Sequence, residues 1–151
     1  MFLIKDSPEQ RQNKIRSFLT GEPVVAMLLA AADFEWTVRR AISRFAHKTG
    51  NDPGPKFERV SGLKTYCECW AMVATPGFAR LEEVVQDWGS LVKSFDLRHQ
   101  LIHGRQGTTG ANYARAHVEA ILAASSAVVK YCLDQGEPIY GKKLPSRKNL
   151  R

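Results

Sequence analysis

Apolar and polar residues follow one another along this chain in helical steps, and no segment shows the two-residue alternation of a half-buried strand. A first helix opens at Ser7-Pro8-Glu9-Gln10: a capping Ser, Pro at the first helical position, and Gln three residues after the cap. Gly21 closes it. A second starts at Glu22-Pro23 and runs unbroken to about His47, before Gly50, Asn51 and Pro53 stop it. Its apolar seam steps by fours and threes through Val24, Leu28, Ala31, Glu35, Val38, Ile42 and Phe45. Glu35 interrupts that seam. A buried carboxylate costs several kcal/mol unless paired or protonated. Either Glu35 meets a cation on another helix or subunit, or the apolar face is turned so that Glu35 lies at its edge.

Residues 51–62, rich in Gly and Pro, read as a loop, and 63–74 as a short helix, with Tyr66, Cys67 and Trp70 leaving a strand as the alternative. Thr75-Pro76-Gly77 is a break. From Phe78 to His103 the pattern predicts one long helix with Leu81, Val85, Trp88, Val92, Phe95, His99 and Ile102 on one line, Val84, Leu91 and Arg98 beside it, and Gly89 as a point of bending. Gly104 is placed to end it in a left-handed turn. After a polar loop at 106–110, a last helix spans 111–135 with Val118, Ile121, Leu122, Val129, Cys132 and Leu133 inward; Gly136 and Pro138 stop it. The expected fold is all-α, an up-and-down bundle of four to five helices forming a single domain over residues 1–137.

Composition adds little to this except in its charge. Net charge is +7, but five of those charges lie in residues 138–151 (Lys142, Lys143, Arg147, Lys148 and Arg151, with no acid), so residues 1–137 are nearly balanced. This basic segment is expected to be a flexible tail, which either attracts polyanions without sequence preference or solubilises the terminus. The longest apolar run, Val24 to Ala32, is too short to span a bilayer, and Met1-Phe2-Leu3-Ile4 is followed at once by Lys5 and Asp6. The expectation is a cytoplasmic protein with no membrane partner. Cys67, Cys69 and Cys132 lack C-x-x-C spacing and are expected to be reduced thiols; no metal and no cofactor are expected.

The residues that carry chemistry gather at Arg98 to His103. Arg98 and His99 stand where the apolar seam of their helix would continue, a local violation of the kind found at functional sites. His103 falls in the last turn, where the helix dipole favours a cation, and an imidazole is the side chain best suited to general acid–base work near neutral pH. Arg98 supplies a permanent cation with a donor fork that fits phosphate, and Arg105 lies just beyond. Five residues on a straight helix turn through about 140°, so Arg98 and His103 do not naturally address one point. Either the helix unwinds before Gly104 or two copies of the segment meet in a symmetric dimer.

Leu97-Arg98-His99-Gln100-Leu101-Ile102-His103-Gly104 resembles the R-x4–6-H motif of the HEPN superfamily (higher eukaryotes and prokaryotes nucleotide-binding). In that family the motif lies near the end of a long helix in an all-α bundle. The resemblance implies a dimeric, metal-independent endoribonuclease that cleaves RNA by attack of its own 2′-hydroxyl, leaving a 2′,3′-cyclic phosphate. It also implies a role as a toxin or in defence against phage, in some cases with a nucleotidyltransferase-like antitoxin as partner. Carried over, Arg98 holds the scissile phosphate and His103 handles protons, with His99, Glu35 and Arg105 as accessory residues. His99 stands where Asn is commonest in the family, and the match at Glu35 is looser. Arg40 and His47 satisfy the loose spacing mid-helix without any supporting feature.

His117 and Glu119 point to different faces of the last helix and read as surface residues. Arg39, Arg40 and Arg44 form a basic edge that reads as a solvated helix face, with contact to RNA backbone as the alternative. The alternative to a nuclease is a non-catalytic helical module binding a partner protein or RNA, in which Arg98 and His103 serve an interface or a cap.

Overall fold

Six helices and one 3₁₀ turn account for the regular structure, and no strand occurs among the described residues, so the chain is all-α. The computed structural model describes residues 6–60, 62–105 and 107–141. The helices are α1 (Pro8–Ser17), α2 (Pro23–Thr49), α3 (Gly62–Val73), α4 (Leu81–Val84), α5 (Trp88–Ile102) and α6 (Ala111–Asp134), with the 3₁₀ turn at Pro55–Arg59. The chain divides into two compact units. Residues up to Glu35 belong with Asp87–Ser126, and Trp36–Gln86 belong with the residues from Ala127 onward.

The first unit holds α1, the opening half of α2, α5 and most of α6. The capping box at α1 forms as its residues require: Ser7 Oγ accepts from the Gln10 amide at 3.1 Å, and Gln10 Oε1 accepts from the Ser7 amide at 2.8 Å. Behind the cap, Arg11 is fully buried and its Nε donates to Asp33 Oδ1 at 2.8 Å, while Nη1 donates to the Asp6 carbonyl at 2.8 Å. The buried carboxylate of α2 is therefore Asp33, not Glu35. Met27, Ala30, Ala31, Phe34 and Asp33 face inward, Val24 and Leu28 are half-buried, and Glu35 lies at the edge. The inward face is turned from the Val24–Leu28–Glu35 line because Arg11 gives Asp33 the only kind of partner that lets a carboxylate go under.

The second unit is built on aromatic rings. Phe45 packs against Trp70 at 5.2 Å and Phe78 at 5.0 Å between centroids, and Tyr131 joins the same cluster. Its polar atoms are paired: Trp70 Nε1 donates to the Ala79 carbonyl at 3.0 Å, and the Ala79 amide donates to the Tyr131 hydroxyl at 2.8 Å. Cys67 and Cys132 are free thiols whose pKa burial pushes up to about 12.

Three expectations need correction. The helix expected over 78–103 is two helices, because Asp87 caps a fresh start: its carboxylate accepts from the Ser90 amide at 3.0 Å and the Ser90 hydroxyl at 2.6 Å. The break is thus at Val85–Asp87, ahead of Gly89. Restarting there turns the buried face of α5 to Leu91, Ser94, Phe95 and Leu97, so Val92, His99 and Ile102 face outward. In α6, Val128 is buried in place of Val129, and Leu133 is exposed.

The basic tail also begins later than residue 138. Ile139 is buried, its carbonyl accepts from Arg40 Nε at 2.7 Å, and the Tyr140 hydroxyl lies 2.6 Å from Thr37 Oγ1. Arg40 is held over the Tyr140 ring, Arg39 over Phe57, and Arg44 faces Glu137 at 3.5 Å, so the basic edge of α2 is engaged within its own unit. The expected tail residues Lys142, Lys143, Arg147, Lys148 and Arg151 lie outside the described residues. Among the described residues α6 is the helix long and apolar enough, by length and composition, to cross a membrane; alanine-rich core helices share those properties.

Breaking the buried ion pair tests the first unit. Arg11→Ala leaves Asp33 without its cation and lowers the unfolding free energy by about 3–5 kcal/mol in urea titrations. The double change Arg11→Met with Asp33→Leu, which removes both charges, recovers most of that loss.

Candidate functional site

Helix α5 ends as its sequence requires. His103 takes the C-cap with φ −90° and ψ 11°, its amide donating to the His99 carbonyl at 3.0 Å. Gly104 adopts φ +66°, and the Arg105 amide returns to the Gln100 carbonyl at 3.0 Å. This is a Schellman closure, in which a residue at positive φ lets the chain turn back and satisfy the last carbonyls. It leaves the run His99, Gln100, Ile102, His103 and Arg105 on the solvent side, with Ile102 48% exposed.

Within this end the candidate residues sort into two pairs. Arg98, one turn past buried Ser94, sits at the margin of the packed face, and its Nη2 lies 3.6 Å from Glu35 Oε1. The partner of Glu35 is thus a cation on another helix. At that length, with side chains 32% and 25% exposed, the contact is a loose ion pair. A guanidinium carries five donors, and a phosphate can take two of them at once. His99 and His103, four residues apart, lie in contact with ring centroids 4.2 Å apart and ring planes inclined by 52°. No hydrogen bond, ion pair or ring contact joins Arg98 to His103 among the described residues, in keeping with the angle between positions five apart. Phe34 and Phe95, edge to face at 5.6 Å, pack α2 against α5 beside the Arg98–Glu35 pair.

The site also includes a residue that spacing did not single out. His117 of α6 places Nδ1 2.9 Å from Ser94 Oγ, and the same hydroxyl lies 2.8 Å from the Ser90 carbonyl. A carbonyl only accepts, so the arrangement that uses both contacts sends the serine proton to Ser90 and puts a proton on His117 Nδ1. The neutral ring and the cation both carry that proton; burial favours the neutral ring, lowering its pKa from the ordinary value and leaving Nε2 as an acceptor. Tyr113, one turn earlier on α6, closes on the ring at 4.7 Å. No sequence signal pointed to this pair: Ser94 lies off the apolar line expected for its helix, and its partner is 23 residues away. Glu119, read as its neighbour on the surface, instead takes Arg16 through two contacts of 2.7 and 3.0 Å, which hold its pKa below the usual range.

Among the described residues no group of three or more His, Cys, Asp and Glu stands within metal-binding range. The side chains gathered at the end of α5 are a guanidinium, two imidazoles and, across from Arg98, a carboxylate.

The His117 environment predicts a definite pH dependence. A histidine whose folded pKa is depressed is protonated first in the unfolded chain, so its contribution to stability is full above about pH 6.5 and declines as pH falls toward the folded value. Urea midpoints should drop between pH 7.5 and 5, and His117→Gln should remove part of that drop. NMR titration should give the His117 ring a pKa below 6.5.

No protein-family model, curated protein or solved structure matches this chain, so what the site does has to be argued from its own residues.

Proposed function

We propose that the protein is a metal-independent endoribonuclease whose active site forms when two copies bring their α5 ends together. The observation that carries this reading is the end of α5 itself, which presents a loosely held guanidinium on one side and two solvent-facing imidazoles in mutual contact on another. A 2′-hydroxyl attack needs a base to take the 2′ proton, an acid to protonate the departing 5′-oxygen, and a cation on the phosphate. The 2′-oxygen forms a bond to phosphorus, the bond to the 5′-oxygen breaks, and a 2′,3′-cyclic phosphate and a 5′-hydroxyl result. His103 of one subunit serves as base and His103 of the other as acid, with Arg98 bearing on the charge that develops. His99 lies against His103 and orients it; Arg105 adds to the field that offsets the negative end of the helix dipole. Glu35 positions Arg98.

Dimerisation answers two features of the monomer. Arg98 and His103 point to different sides of α5, so one copy does not focus both on one phosphate. Val92 and Ile102, both exposed, lie on the outward part of α5 that carries His99 and His103, giving a second copy apolar area to cover. The resemblance to HEPN nucleases points the same way and extends to a toxin or antiphage role with an antitoxin partner.

The test is cleavage of labelled RNA in EDTA, with end-group analysis. Wild type is expected to give cyclic-phosphate ends, and His103→Ala to lose at least about 100-fold in rate while remaining a folded dimer. Undiminished cleavage by that dimer overturns the assignment. Glu35→Gln is expected to leave stability within about 1 kcal/mol, since the pair is partly solvated, and to lower the cleavage rate by loosening Arg98. The rival reading, a non-catalytic module for a partner protein or RNA, draws on the same Arg98–Glu35 pair; it gains if Arg98→Ala abolishes association and no cleavage is found with wild type.

A further inference from the structure

The proposed reaction leaves Tyr113 unused, yet its placement is unusual for an aromatic ring. It is 57% exposed in the first turn of α6, and its one ring contact is His117, 4.7 Å away at 74°. His117 is in turn fixed by Ser94, a fully buried residue tied to α5 by the Ser90 carbonyl. A large apolar surface is thus held in solvent by a chain of three contacts ending in the core.

Its position along the helix is informative. Residues 103–110 return the chain from α5 to α6, so these neighbours run in opposite directions, with the Ser94–His117 bond marking one common level. One turn onward along α5 is Arg98, and one turn back along α6 is Tyr113. The two therefore share the next level, on helices whose axes typically lie roughly 8–10 Å apart. A phosphate-binding cation and an exposed aromatic platform fall within reach of a single nucleotide.

We propose that Tyr113 is a nucleobase platform: an unpaired base next to the phosphate held by Arg98 stacks on the exposed ring, with His117 and Ser94 keeping that ring in place. The inference rests on the RNA-cleaving reading and names its substrate as single-stranded, because a base inside a duplex keeps its faces covered. Stacking tolerates any base, so Tyr113 contributes affinity without a sequence requirement.

The experiment measures binding apart from cleavage, by fluorescence anisotropy of a labelled single-stranded oligonucleotide whose 2′-deoxy sugars lack the attacking hydroxyl. Tyr113→Ala is expected to raise Kd about 5- to 100-fold, the effect of losing one base stack. Tyr113→Trp should bind as wild type does. The slope of log Kd against log salt should stay unchanged in Tyr113→Ala and decrease in Arg98→Ala, which loses a phosphate contact. Because Tyr113 is exposed, circular dichroism should report the same helicity in all variants. Equal binding by Tyr113→Ala and wild type, or no oligonucleotide binding by wild type, overturns the platform. If wild type fails to cleave RNA but its binding still depends on Tyr113, the nuclease reading falls and the platform stands.

Discussion

The buried pair of Arg11 and Asp33 sets the geometry on which the candidate site depends. An ion pair that is wholly under the surface has little freedom, because either charge left alone would cost several kcal/mol. Meeting Arg11 fixes how the first half of α2 is rotated. With Asp33 inward, Phe34 follows it into the core and reaches Phe95 of α5. Glu35, two positions on, is carried to the edge, and there it meets Arg98. Had Glu35 been the buried carboxylate, Arg98 would have lost its partner.

The end of α5 has been arranged by a different force. Helix termini leave carbonyls unsatisfied, and the Schellman closure through Gly104 satisfies them while exposing the last turn. The polar side chains there are consequently not core residues gone astray. His99 and His103 touch each other in solvent, and Arg98 stays at the margin of the packed face, held loosely by Glu35. Against this stands the tighter order of Ser94, His117 and Tyr113, where a buried hydroxyl dictates which nitrogen of an imidazole carries its proton. Loose cation and fixed ring lie one helical turn apart in the same unit.

Helical periodicity, capping residues and glycine stops act over at most a few residues, and the sequence alone therefore determined the all-α class, the capping box at Ser7, the extent of α2, α3 and α6 to within a few residues, and the left-handed stop at Gly104. It also singled out Glu35, Arg98 and His99 as polar residues on apolar seams, and His103 and Arg105 by their places in the last turn and just beyond it. Only the tertiary structure decided which way each helix faces. Helix faces are broad, and a rotation by one position satisfies nearly the same apolar pattern, so choosing Asp33 over Glu35, Val128 over Val129 and the Leu91–Ser94–Phe95 face over the Val92–His99 line required partners distant in the chain. The packing of Ile139 and Tyr140 and the Ser94–His117 bond depend in the same way on groups brought close by folding, 23 to more than a hundred residues apart. The Asp87 cap that splits α4 from α5 is instead a local signal three residues long, hidden by the apolar pattern running through it.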